Sequence, residues 1–169
     1  KQLIELMNDI KAYIKHTPNE LLQDILTICE ALLLFNSSND KKTLQSTLHI
    51  VWTHMEKKDE LYLTDIYLLN SILFFFPLET ALNLRDFLFR SIERYKNFQN
   101  MEKMKLTITL NMSLLFIEEN LYSEAITEIN NCLYLCKKYS EFTKLPFCYY
   151  RKGICLLNLG EDGAPWLEK

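Results

Sequence analysis

Apolar side chains recur along the chain three and four positions apart, almost without a break, which is the period of amphipathic helices. Leu3, Leu6, Met7, Ile10 and Ile14 share one face of a first helix over residues 1–14. Thr17-Pro18-Asn19 closes it and opens the next, because Pro18 cannot extend a preceding helix. A second helix over 20–35 ends at Asn36-Ser37-Ser38-Asn39, and a third over 40–56 brings Leu44, Leu48, Val51, Trp52 and Met55 together. The pattern continues as helices over 61–76, 78–95, 101–119, 123–139 and 147–159. Pro77 stops the fourth and Gly160 the eighth, and Ala164-Pro165-Trp166 reads as the first turn of a ninth.

Short connections make neighbouring helices antiparallel hairpins, so the fold class is all-α. A degenerate repeat runs through them. Met112-Ser113-x2-Phe116 is followed by Tyr122-x-Glu124-Ala125-Ile126 and Cys132-Leu133, the large–small–aromatic order of the tetratricopeptide repeat. Leu68-Leu69-x2-Ile72 precedes Leu78-Glu79-Thr80-Ala81-Leu82 one copy earlier, and Lys152-Gly153-x2-Leu156 follows one copy later. The small positions let two helices approach while the large ones fill the space beside them. Leu69, Ser113 and Gly153 lie 44 and then 40 residues apart, so the helices are longer than in the usual repeat. The expected architecture is a stack of antiparallel hairpins in a degenerate tetratricopeptide-like right-handed superhelix, one domain over residues 1–169.

Composition narrows the choices. With 3 glycines and 4 prolines in 169 residues, phosphate loops and hairpin turns lack their usual residues, which excludes Rossmann, P-loop and β-sandwich readings. A net charge of -3 and lysines scattered as pairs argue against nucleic-acid binding by the chain itself. No run of eighteen apolar residues appears, so no membrane span is expected. The chain opens on Lys1 inside a periodic segment with no signal sequence, as expected of a trimmed piece of a longer cytoplasmic protein.

The sequence carries no catalytic signature. There is no G-x-S-x-G, H-E-x-x-H, Walker loop or C-x-x-C. His49 and His54 stand about 140° apart around a helix, which is wrong for shared metal ligation. Cys132 and Cys136 lie on one helix face and Cys148 and Cys155 seven apart; the odd count of 5 favours reduced, buried thiols over a metal site. No enzyme activity, metal or cofactor is expected.

From Trp52 onward the order of features resembles the C-terminal domain of the Rgg/GadR/MutR regulators of Gram-positive bacteria, cytosolic peptide-pheromone receptors with tetratricopeptide-like repeats. The resemblance rests on Leu61-Tyr62-Leu63-Thr64-Asp65-Ile66-Tyr67-Leu68-Leu69-Asn70, Leu73-Phe74-Phe75-Phe76 and Ile92-Glu93-Arg94-Tyr95. It continues in Asn111-Met112-x5-Glu118-Glu119-Asn120 and ends with Tyr150-Arg151-Lys152-Gly153. It implies the sensor and dimerisation part of a quorum-sensing transcription regulator, a homodimer through its C-terminal helices. DNA would be reached only through an N-terminal helix-turn-helix domain that these residues do not contain.

The sixth helix is apolar on two sides, with Leu106, Leu110, Leu114 and Ile117 against Ile108, Met112, Leu115 and Phe116. The fourth repeats this, with Leu63, Ile66, Leu73 and Phe74 against Leu61, Leu68, Ile72 and Phe75. Two readings stand: a helix sandwiched inside a thick core, or an inner helix lining a concave apolar groove. In the second, a short hydrophobic peptide lies across the fourth, sixth and eighth helices. Phe74, Leu110, Leu114 and Leu157 then bury its side chains, and Asn70, Asn158 and Tyr150, with Asn111 facing either way, hold its backbone. Arg85 and Arg151 meet its carboxylate or else pair with nearby acids. The alternative function is a tetratricopeptide-type adaptor for a protein partner, whose groove for charged tails would be lined by Lys and Arg rather than by Leu, Phe, Tyr and Asn.

Overall fold

The computed structural model describes residues 2–98 and 101–168. Among them the chain forms nine α-helices and no strand. They are α1 Gln2–His16, α2 Glu20–Ser38, α3 Lys41–Met55, α4 Leu63–Ile72, α5 Leu78–Arg94, α6 Met101–Glu118, α7 Tyr122–Tyr139, α8 Leu145–Asn158 and α9 Ala164–Leu167. Lys1, read above as the start of the first helix, lies outside the described residues. Within the length read as one repeat domain, packing falls into two compact units that meet in sequence at Phe76 and Pro77.

In the first unit α2 packs on α1, α3 and α4, and α3 packs on α4. Asn19 accepts from the Leu22 amide at 3.0 Å to cap α2, and Asp40 accepts from the amides of Lys42 and Thr43 to cap α3. The core is Leu26, Ile28, Ala31, Leu44, Leu48, Val51, Trp52, Met55, Ile66, Leu69 and Ile72. Two expectations are corrected here. The apolar face of α1 buries only Met7, leaving Leu3 and Leu6 exposed, because this helix packs on α2 alone in its unit. The fourth helix does not run to residue 76: it tightens into a 3₁₀ turn at Leu73–Phe75, since Pro77 drives Phe76 into extended backbone (φ -80, ψ 155). Gln45 Nε2 donates to the freed Phe75 carbonyl at 2.9 Å. Among the described residues α2 is a candidate to cross a membrane by length and composition alone, although no unbroken apolar run marks it; in this unit it carries the buried Asp24 and packs on three helices.

In the second unit α5 packs on α6, α6 on α7, α7 on α8 and α8 on α9, and α8 also reaches α6. The small positions of the repeat pattern, Ser113, Ala125, Cys132 and Gly153, are all buried. Gly153 and Gly163 allow the closest approach: a Cβ on Gly163 would stand 2.2 Å from the Gly153 carbonyl oxygen. α8 ends as foreseen at Gly160 (φ 77), where the Gly160 amide donates to Leu157 O at 3.1 Å and the Glu161 amide to Leu156 O at 2.9 Å. α6 and α7 end in the same way on Asn120 (φ 60) and Ser140 (φ 57). Trp166 of α9 lies 5.9 Å from the Tyr149 ring and under the Lys152 ammonium at 4.0 Å, whereas Trp52 is buried in the first unit.

Candidate functional site

Both stripes of α6 are covered. Leu106, Ile108, Met112 and Leu115 are buried, as are Leu110 and Phe116, while Leu114 and Ile117 are half-buried. For most of its length α6 is therefore a sandwiched helix, and Leu114 is the apolar groove candidate on it that keeps a partly open side chain. On α8 the situation reverses. Phe147, Tyr150 and Leu157 are exposed at 57%, 62% and 48%, with half-buried Ile154 between them. Their spacing of three, four and three puts all four on one helix face. Sequence reasoning named Tyr150 and Leu157 and missed Phe147 and Ile154, although that spacing was present to be read.

The polar candidates are engaged within the protein to different degrees. Arg151 Nη1 donates to the Leu110 carbonyl oxygen and, at 3.0 Å, to Ser113 Oγ, and burial pulls the guanidinium below its ordinary pKa. Arg85 pairs with Asp86 at 2.8 Å and with Glu128 at 3.4 Å; burial raises the Glu128 carboxyl although Arg85 opposes the rise. Asn158 Nδ2 donates to the Ile154 carbonyl of its own helix at 2.9 Å. Asn111 is half-buried on α6. In the first unit Asn70 is buried, and half-buried Phe74 stacks on Phe75 with ring centroids 4.1 Å apart. A shallow cleft of about 320 Å³ between α2 and α4, lined by Leu21, Ile25, Tyr67 and Leu68, opens in that unit and was not foreseen.

All five thiols are free; Cys132, Cys136, Cys148 and Cys155 are buried and Cys29 is half-buried. Cys132 is raised by its hydrogen bond to Cys148 and by burial, and Cys136 is pushed up to about 12, chiefly by burial. Cys148 is held below its usual value by the hydrogen bond from Cys132, with Arg151 adding to the effect. Cys132 Sγ donates to the Leu106 carbonyl oxygen at 4.0 Å, so its thiol ties α7 to α6. Among the described residues no group of three or more His, Cys, Asp or Glu is arranged to hold a metal ion.

Within each unit neighbouring helices pack on one another and the described residues form no strand, which places this protein in the all-α class. It belongs to the family of the C-terminal domain of the HTH-type transcriptional regulator Rgg, whose model matches residues 5–164. The match takes in most of the first fifty residues, which lie before the Trp52 start of the resemblance. The chain is thus a regulatory domain of a transcriptional regulator, a family that is not an enzyme class. No curated protein and no solved structure matches it.

Proposed function

We propose that the chain is the peptide-sensing part of its regulator, binding a short hydrophobic peptide and passing the bound state to an attached helix-turn-helix domain in the cytoplasm. The observation that carries this reading is the open row of Phe147, Tyr150, Ile154 and Leu157 on α8. Large apolar side chains aligned and left in water mark an interaction site more often than chance exposure does. Leu114 on α6 is half-open in the same unit, and Asn158 and Tyr150 offer amide and hydroxyl groups for a peptide backbone. In the first unit Asn70 and Phe74 are the corresponding candidates. Leu110 and Asn111 complete the candidate set, with Arg85 and Arg151 the candidates for a ligand's carboxylate. The hairpins stack as a tetratricopeptide-like right-handed superhelix, and the chain acts as a homodimer.

Fluorescence polarisation of a labelled panel of short hydrophobic peptides against the chain tests the reading. Saturable binding that Tyr150→Ser weakens is expected. Binding only to peptides with charged tails would favour the adaptor alternative.

A further inference from the structure

Where α1 ends, α2 begins and α3 closes, the first unit holds a cleft of about 390 Å³. Ile14 and Pro18 form an apolar wall, Glu20 and Asp24 stand one turn apart on α2, and His54 and Lys57 face them from the end of α3. The Asp24 side chain is only 5% exposed, with Oδ1 3.3 Å from His54 Nδ1. Every fully buried side-chain oxygen or nitrogen among the described residues has a partner. The described bond of Asp24 runs through Oδ1, so Oδ2 keeps some exposure, and Asp24 lines the cleft. Glu20 and Lys57 are exposed on its rim and make no ion pair among the described residues. Burial raises the Asp24 carboxyl above its ordinary value, with His54 and Lys58 opposing the rise.

We propose that this cleft binds a small zwitterion, a free amino acid or dipeptide. Its ammonium would sit on Asp24 Oδ2 and Glu20, its carboxylate on Lys57, and its side chain against Ile14 and Pro18. The charge pattern selects this class. A simple cation meets Lys57 as well as the acids, and a simple anion meets Glu20 and Asp24, so each is repelled at one wall. A molecule with both charges a few bonds apart satisfies both walls. The volume lies near the lower end for ligand pockets, which suits one or two residues. None of these residues belongs to the α8 stripe, so the proposal does not rest on the peptide reading.

Isothermal titration of the chain with leucine and with the dipeptide leucyl-alanine tests it. Saturable heat is expected from at least one of them, at millimolar concentration or below. The acetylated and amidated forms of that ligand, each lacking one charge, are expected to bind at least tenfold more weakly. Glu20→Gln and Lys57→Gln change exposed residues and are expected to weaken binding severalfold with an unchanged melting temperature. Asp24→Asn should weaken it at least tenfold; if that variant does not fold, the two surface variants decide. No saturable heat from either ligand overturns the proposal, as does equal binding of the acetylated or amidated form. Binding that Glu20→Gln and Lys57→Gln both leave unchanged puts the ligand elsewhere and also overturns it.

Discussion

The guanidinium of Arg151, on α8, donates to the backbone carbonyl oxygen of Leu110, in the middle of α6. Ser113 Oγ donates to that carbonyl at 2.8 Å and accepts from the same guanidinium at 3.0 Å, so three groups close a small network between two helices that are not neighbours in sequence. Hydrogen bonds from a charged donor contribute roughly 1.5–3 kcal/mol each. Arg151→Met is expected to lower stability by about 2 kcal/mol in urea unfolding, and Arg151→Lys by less, because an ammonium keeps the charge but lacks the planar fork. If Arg151 instead serves a ligand's carboxylate, stability stays unchanged and peptide binding falls.

Gly163→Ala should unseat α9. The added Cβ would meet the Gly153 carbonyl at 2.2 Å, a backbone atom that cannot rotate away. Hydrogen exchange in Ala164–Leu167 is expected to rise while that of α6 and α7 stays as it was. Gly153→Ala should be milder, since its nearest obstacle is the end of the Leu167 side chain.

Asp24 and Glu128 both have carboxyls raised by burial. Above the ordinary carboxylate range the native state then holds more protons than the unfolded one, so stability falls as pH rises through the raised values. The stabilisation is fully present below the unfolded values. Thermal melts should therefore show a decline just above the usual carboxylate pKa, and Glu128→Gln should flatten part of it. A decline equally steep in Glu128→Gln and Asp24→Asn would assign it to other groups.

Leu114→Glu separates two roles for the half-open face of α6. A groove position tolerates the carboxylate when no ligand is bound, so the melting temperature should hold while binding of a hydrophobic peptide is lost. A drop of many degrees would make Leu114 a core residue of a sandwiched helix.

Self-association is checked by sedimentation at micromolar concentration. The expected species is twice the chain mass of 20.1 kDa. A single monomeric boundary at all concentrations would contradict the homodimer.

Helix positions were legible because packing imposes its period on the sequence: Leu44, Leu48, Val51 and Met55 are buried as their spacing implied. The small residues were equally readable, and Gly153 does admit another helix at close range. Helix ends were less so. In a chain with 3 glycines, left-handed terminal residues fall to Asn39, which lies in the stop read after the second helix, and to Asn120 and Ser140, which were not read as stops. The exposure of Leu3 and Leu6 was illegible for another reason, since amphipathicity says that a face is apolar and not whether anything covers it. The polar candidates suffered similarly. Nothing local tells whether Arg151 points at a ligand or at the Leu110 carbonyl 41 positions away.

The chain's 2 tryptophans fall one to each unit, Trp52 enclosed in the first and Trp166 beside Tyr149 and Lys152 in the second. The protein is in effect labelled already. An enclosed indole emits in the blue and a half-open one beneath an ammonium further to the red, so the spectrum of the unmodified chain carries two separable signals. Their melting curves, recorded together, would report whether the halves come apart as one body or in turn.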